Sequence, residues 1–297
     1  MNICRTKQQL KLAVKEAKGQ GKTIGFVPTM GYLHEGHASL LRAAREENDI
    51  VVLSIFVNPM QFGPNEDLDR YPRDEQRDVA LAAQCGTDIV FIPSVQEMYP
   101  SKPLTSIKVA EVSERLCGAS RPGHFDGVGL VVSKLFHLVE PTRAYFGLKD
   151  AQQVAVIEQM VADLDMNVEI VPCPIVREPD GLALSSRNVY LSAIQRSEAT
   201  VLSESLSELA NALKLNGAMT PAQCIELVTD NIKEKTSGDI DYVELLEYPA
   251  LMPVPAHEGL LDALADRKFI VALAVRFGST RLIDNALFHV EEVIERV

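Results

Sequence analysis

Two histidines three residues apart, His34 and His37, stand between an apolar run ending at Pro28 and a helical pattern of Ala38, Leu40, Leu41 and Ala44. The whole stretch, TIGFVPTMGYLHEGHASLL from Thr23 to Leu41, reads as strand, tight loop and helix start. A helix start offers unpaired N–H groups and the positive end of the helix dipole, so it attracts phosphate. Two imidazoles at that point can hydrogen-bond phosphate oxygens and stabilise charge that develops on them. The spacing does not suit a zinc protease, whose HExxH histidines are four apart, and no third ligand accompanies this pair.

Four other segments carry chemistry-bearing residues. In FVNPMQFGPNEDLDRYPR (56–73), Asn58 and Gln61 bracket a Pro-Met pair. Their carboxamides both donate and accept, which suits a small ligand bearing hydroxyl and carboxylate groups. In RPGHFDGV (121–128), Arg121 and His124 could face an anion. In YFGLKDAQQ (145–153), Gly147 allows close backbone approach, Lys149 is a point charge for phosphate, and Asp150 and Gln153 follow within a turn. In VREPDGLALSSRN (176–188), Ser185, Ser186 and Arg187 form a candidate phosphate clamp. Each has a plainer structural reading: an Asn-Pro turn, a loop and helix cap, a βα turn with a solvated lysine, and a polar loop. There is no Walker A loop, GxGxxG fingerprint or GxSxG elbow.

These segments need elements that hold them. Apolar runs at 23–28, 50–56, 88–92, 143–146 and 167–171 read as strands. Amphipathic stretches at 3–18, 37–47, 73–84, 126–139 and 150–163 read as helices. Nearly continuous apolar strands alternating with helices predict an α/β fold with a parallel sheet covered on both faces. In such sheets ligands sit beyond the carboxyl ends of the strands, where three of the motifs fall. Pro172-Cys173-Pro174 suits a linker. Beyond it, helices over 192–215 and 221–235 and strands over 240–247, 269–276 and 280–287 predict a smaller α+β domain, its last two strands joined at Gly278-Ser279. The expected domains are 1–175 and 176–297.

The net charge, 29 − 41 = −12, disfavours nucleic-acid and membrane-surface binders, though a locally basic pocket is compatible with it. The hydrophobic fraction of 46% supports a sizeable core, yet no run is long enough to span a bilayer. The polar, helical start does not read as a signal peptide. Five scattered cysteines (Cys4, Cys85, Cys117, Cys173, Cys224) without a CxxC pair suit reduced thiols in a cytoplasmic protein.

Taken together, PTMGYLHEGH, FVNPMQF, RPGHFDGV, FGLKDAQQ and PDGLALSSRN resemble the motifs of the pantoate–β-alanine ligase family, a branch of the HxGH nucleotidyltransferases, in order and along the whole chain. Leu148, Pro179 and Leu184 stand where that family commonly has Glu, Ala and Met. The resemblance implies a Rossmann-type nucleotide-binding domain, a smaller C-terminal lid domain, a homodimer, and Mg²⁺-ATP, D-pantoate and β-alanine as substrates. It places Met30, Gly31, Tyr32, Leu33, His34, Glu35, Gly36 and His37 on ATP, with His37 as proton donor. Gly147, Leu148, Lys149, Asp150, Val176, Leu184, Ser185, Ser186 and Arg187 complete the ATP set. His34, His37, Lys149 and Arg187 are the catalytic group. Gln61 and Gln153 are assigned to pantoate, with Gln61 also near β-alanine, and Asn58, Arg121 and His124 beside them. No protein metal ligand is implied, because Mg²⁺ is usually held by phosphates and water. Competing readings are another HxGH nucleotidyltransferase, a class I aminoacyl-tRNA synthetase and a nucleotide-sensing module. The first would call for more cations near Asn58 and Gln61; the second for a longer chain and a KMSKS-like loop. The third would be expected to lack His37 or Lys149.

Overall fold

Apolar patterning sets most of the elements. In the computed structural model, which describes residues 1–64, 66–256, 259–260 and 267–289, the chain opens with β1 (Asn2–Cys4), α1 (Lys7–Gly19), β2 (Ile24–Thr29), α2 (Glu35–Glu47) and β3 (Ile50–Ile55). A 3₁₀ turn (Pro59–Gln61) precedes α3 (Glu75–Gln84), β4 (Ile89–Phe91) and α4 (Val95–Met98). Then come α5 (Leu116–Ser120), α6 (His124–Val139), β5 (Arg143–Gly147), α7 (Ala151–Asp163) and β6 (Glu169–Cys173). The remainder holds α8 (Ala193–Glu198), α9 (Val201–Leu215), α10 (Pro221–Lys235), β7 (Asp239–Tyr248), β8 (Lys268–Phe277) and β9 (Thr280–His289).

The chain packs as two units. The first comprises 1–113, 121–148 and 156–176; the second comprises 114–120, 149–155 and 177–297. Two short segments that a linear reading assigns to the first domain therefore belong to the second unit. The first unit holds a six-stranded sheet of order β1-β4-β3-β2-β5-β6, parallel throughout. From β2 the chain builds through β3 to β4 on one side, then returns to place β5 and β6 on the other. The order reverses between β2 and β5, the position at which doubly wound sheets bind ligands. β5 pairs with β2 only at Gly25 and Phe26, and Pro28, which has no N–H, lies beyond the paired stretch. The second unit holds an antiparallel sheet, β7-β8-β9, whose last two strands turn at Gly278-Ser279 with Phe277 opposite Thr280. Its core joins Leu202, Leu206 and Leu209 of α9 and Val228 and Ile232 of α10 to Phe269, Val271 and Leu273 of β8. The expected α/β architecture with a smaller α+β part is the one observed.

Three local expectations change. The helix expected over 3–18 begins at Lys7, capped by a Thr6/Gln9 box, because Asn2–Cys4 pairs with β4 as an edge strand. That pairing is non-local and leaves no periodic trace. The single helix expected over 192–215 is broken between α8 and α9. There the Thr200 hydroxyl bonds back to the Ser197 carbonyl (2.9 Å) and competes with the helical ladder. Pro172 lies inside β6 rather than in a linker, which an edge strand tolerates.

All five cysteines are free and buried. Burial pushes the Cys173 and Cys224 thiols to about 11, so neither supplies thiolate at neutral pH. A thiol reagent should therefore report almost no reaction with the native protein and five equivalents after denaturation. Rapid labelling of the native fold would contradict the packing. Among the described residues, no helix is long and apolar enough to cross a membrane.

Candidate active site

In the first unit the candidate residues gather at the carboxyl ends of β2 and β3. Thr29 closes β2, its hydroxyl donating to the Ser54 carbonyl (2.8 Å) and accepting the Gly31 amide (3.2 Å). The loop then needs a left-handed glycine. Gly31 has φ +84, and a Cβ there would stand 2.9 Å from both Asp78 Oδ2 and Ile55 Cγ2. Tyr32 is also left-handed (φ 51). Asp78 of α3, fully buried, holds this conformation: its two oxygens accept the Tyr32 amide (2.8 Å) and the Leu33 amide (2.6 Å). Burial pushes the Asp78 carboxyl above its ordinary value, against the pull of those two amides.

α2 then begins with His34 as its N-cap. His34 Nδ1 accepts the Gly36 amide (3.1 Å), and His37 Nδ1 accepts the His34 amide (3.3 Å), a capping box made of two imidazoles. The rings lie 4.1 Å apart between centroids. Because both Nδ1 atoms accept, the neutral rings carry their proton on Nε2, which is then each ring's donor.

The site differs here from the expectation of unpaired amides awaiting an anion. The amides of Gly31, Tyr32, Leu33, His34, Gly36 and His37 all donate within the chain, to Thr29, Asp78, the histidine rings and the His34 carbonyl. The positive end of the helix dipole is still available to an anion. Among the expected nucleotide contacts, the Leu33 side chain is buried in the core, and Glu35 pairs with Arg42 on α2.

Gln61 sits beside this loop, its Nε2 3.3 Å from Met30 Sδ. Its carboxamide oxygen accepts from buried Asn58 Nδ2 (3.1 Å), which also donates to the Gly127 carbonyl (3.1 Å). Asn58 Oδ1 in turn accepts from the Tyr99 hydroxyl (3.0 Å), whose pKa burial pushes to about 12. Asn58 is thus spent on aiming Gln61. α6 closes against the same turn because Gly127 has no side chain: a Cβ there would stand 2.3 Å from the Met60 carbonyl oxygen.

Arg121 and His124 also turn toward Gln61 instead of presenting an open anion site. Arg121 makes a two-pronged pair with Glu66 (2.6 and 2.7 Å). Its Nη1 donates to His124 Nε2 (3.0 Å), so the His124 proton lies on Nδ1, which donates to the Gln61 carbonyl (2.8 Å). Burial pushes Glu66 upward, but the adjacent guanidinium outweighs it and holds the carboxyl below its ordinary value. The expected cation is therefore neutralised by its own partner, and the motif supports the Gln61 backbone.

Of the remaining candidates, Gly147, Leu148 and Val176 belong to the first unit and the others to the second. Lys149 follows β5 and Gly147, its Nζ 3.9 Å from Asp150 Oδ2. Among the described residues other than its chain neighbours, no atom lies within 4 Å of a Cβ built on Gly147, so their packing does not demand glycine there. Gln153 lies half-buried in the first turn of α7. Val176 is half-buried at the end of the first unit; the segment after it folds back, with Arg177 bridging Ala183. The fold-back leads through Leu184 to Ser185, whose Oγ accepts the Arg187 amide (3.3 Å) and caps a 3₁₀ turn (Ser186–Tyr190). Asn188 Nδ2 donates to the Ala183 carbonyl (3.1 Å) and ties this turn to the fold-back. Among the described residues no cluster of three His, Cys, Asp or Glu could hold a metal ion.

Sequence reasoning passes over Glu66, Tyr99 and Asn285, and leaves Asp78, in the helix expected over 73–84, as structural. Asp78 alone left a signal, a carboxylate sharing the buried face of α3 with Ala82. A parallel sheet with reversed strand order, a histidine-capped helix at its switch point and a held carboxamide define a doubly wound α/β protein whose strand-end site suits an anionic ligand. The model of the pantoate–β-alanine ligase family matches residues 2–287, so the chain belongs to that family and is a ligase. It is 53% identical over 290 residues to the pantothenate synthetase of Acetivibrio thermocellus, covering 98% of this chain and 100% of that one. The pantothenate synthetase of Caldicellulosiruptor saccharolyticus is 55% identical over 282 residues, covering 95% and 97% of the two chains. The crystal structure of the Thermus thermophilus pantothenate synthetase superposes with a TM-score of 0.88 at 44% identity, over 98% and 99% of the chains. That of the Francisella tularensis pantoate–β-alanine ligase, complexed with β,γ-ATP and β-alanine, gives 0.74 at 35%, over 98% of each chain.

Proposed function

We propose that this ligase joins D-pantoate to β-alanine through a pantoyl adenylate, consuming ATP and releasing AMP and pyrophosphate. A carboxylate is a poor acylating agent because its leaving group is poor, and adenylation supplies a better one. The pantoate carboxylate oxygen attacks the α-phosphorus and pyrophosphate departs. The β-alanine amine then attacks the acyl carbon, loses a proton and expels AMP. The observation that carries this reading is the pair of imidazoles at the start of α2, both with Nδ1 accepting a main-chain amide and hence the ring proton on Nε2, in the same unit as a carboxamide held by Asn58. Those Nε2–H groups suit phosphate oxygens whose charge grows as pyrophosphate departs.

In this reading His37 is the proton donor and His34 its companion on the phosphates. Lys149, Arg187, Ser185 and Ser186 neutralise the growing pyrophosphate charge. Met30 to Gly36, Leu148 and Leu184 border the nucleotide, Gly147 and Asp150 contact the ribose, and Val176 contacts the adenine through its backbone. Gln61 and Gln153 hold the pantoate hydroxyls and carboxylate, and Gln61 is also near β-alanine. Asn58, Arg121 and His124 keep Gln61 in place. Mg²⁺ arrives with ATP, held by phosphates and water. The domain roles (nucleotide and pantoate binding for 1–175, lid for 176–297) and the homodimer follow from the family resemblance. Five reduced, buried thiols support a cytoplasmic location.

Purified protein given ATP, Mg²⁺, D-pantoate and β-alanine should release AMP and pyrophosphate in equal amounts, dependent on both organic substrates. AMP formation indifferent to β-alanine, or ADP in place of AMP, would sink the reading.

A further inference from the structure

We propose that Asp284 and Asn285, neighbours on β9, are positioning residues that set the two phosphate-handling segments of the second unit. This rests on the reading that Lys149 and Ser185–Arg187 meet the ATP phosphates. Both residues are buried, 2% and 5% exposed, in a strand that also supplies Leu282 to the apolar core. Asn285 Nδ2 donates to the main-chain carbonyl of Lys149 (3.0 Å). Asp284 grips Arg177 with both oxygens: Nη1 to Oδ2 at 2.6 Å and Nη2 to Oδ1 at 2.9 Å. The Asn285 main-chain amide also donates to Asp284 Oδ1 (2.8 Å), the oxygen that accepts Arg177 Nη2.

Arg177 passes the constraint on. Its Nη1 also donates to the Gly181 carbonyl (3.1 Å), and its backbone bridges Ala183. Around that bridge the Glu178 amide bonds the Leu182 carbonyl (2.8 Å). The fold-back that delivers Ser185 and Arg187 is thus anchored on Asp284, and the peptide that delivers Lys149 is anchored on Asn285. Two adjacent side chains bring into register segments that lie far apart in the chain. A buried ion pair adds little net stability over a well-packed apolar replacement, whereas it does select one conformation. Holding charged groups in place before the reaction is what transition-state stabilisation needs.

The test is pantoate-dependent exchange of labelled pyrophosphate into ATP, which reads adenylation alone, together with thermal melting of each variant. Lys149→Ala tests the underlying reading; full exchange in that variant would remove the reading and this inference with it. With Lys149→Ala impaired, Asn285→Ala and Asp284→Ala should each lower exchange kcat at least tenfold per folded enzyme and raise the KM for ATP. Asp284→Glu, which keeps the carboxylate, should recover much of the loss. A merely structural role would scale activity with the folded fraction and leave the KM for ATP unmoved; that result overturns the proposal. Should Asn285→Ala fail to fold, Asn285→Ser, with a shorter donor, is read instead: an intermediate loss of kcat supports the proposal and wild-type kinetics overturn it.

Discussion

Replacing His37 with alanine is expected to lower pantoate-dependent ATP–pyrophosphate exchange by about 10²–10⁴-fold, the usual contribution of a positioned acid–base group. The same change removes a cap, because His37 Nδ1 accepts the His34 amide. Loss of a capping acceptor costs about 0.5–2 kcal/mol, a visible but survivable destabilisation. The two effects separate in His37→Asn. Its side-chain oxygen can accept the same amide, but it lacks a ring N–H at the reach of Nε2. Melting temperature near wild type with exchange as low as in the alanine variant is the expected pattern. Wild-type exchange in either variant would show that the pair only caps α2.

Asp78→Ala should produce the largest fall in stability of any single change near the site. It leaves the Tyr32 and Leu33 amides without their carboxylate in a buried place, each at a cost of about 1–3 kcal/mol. Asp78→Asn keeps one acceptor and relieves the burial of charge that raises the Asp78 pKa, so it should cost less. Both should depress adenylation, since the loop they loosen places His34 at the start of α2. Urea denaturation followed by exchange assays on the folded fraction reads the two effects separately. An Asp78→Ala protein with wild-type stability would contradict the double hydrogen bond.

The strand-end motifs were legible because each is local. A β-run, a glycine and a capping residue occupy consecutive positions, and their periodicity is printed in the chain. His34 and His37 were readable as a helix start for that reason, and the apolar residues Ala38, Leu40, Leu41 and Ala44 are indeed the buried face of α2. The paired amides of the same loop were not legible. Their acceptor Asp78 lies 45 and 46 positions away on another helix, and nothing in the spacing of either segment refers to the other. Arg121 shows the opposite error. Its residue type suggested an open anion site, but a carboxylate 55 positions away takes both prongs of the guanidinium.

By itself the sequence determined the alternation of strands and helices, the parallel sheet and the small α+β unit, and the residue types standing at the strand ends. Hydrophobic periodicity and turn chemistry act over a few residues, so one chain suffices to read them. Only the tertiary structure decided which of those residues hold another residue in place. Asn58, Arg121 and His124 became supports of Gln61, and Asn285, 136 positions from Lys149, became the anchor of its peptide. Hydrogen bonds between distant segments form only after the sheets have packed, and a buried polar group must then find its partner wherever the fold has brought one.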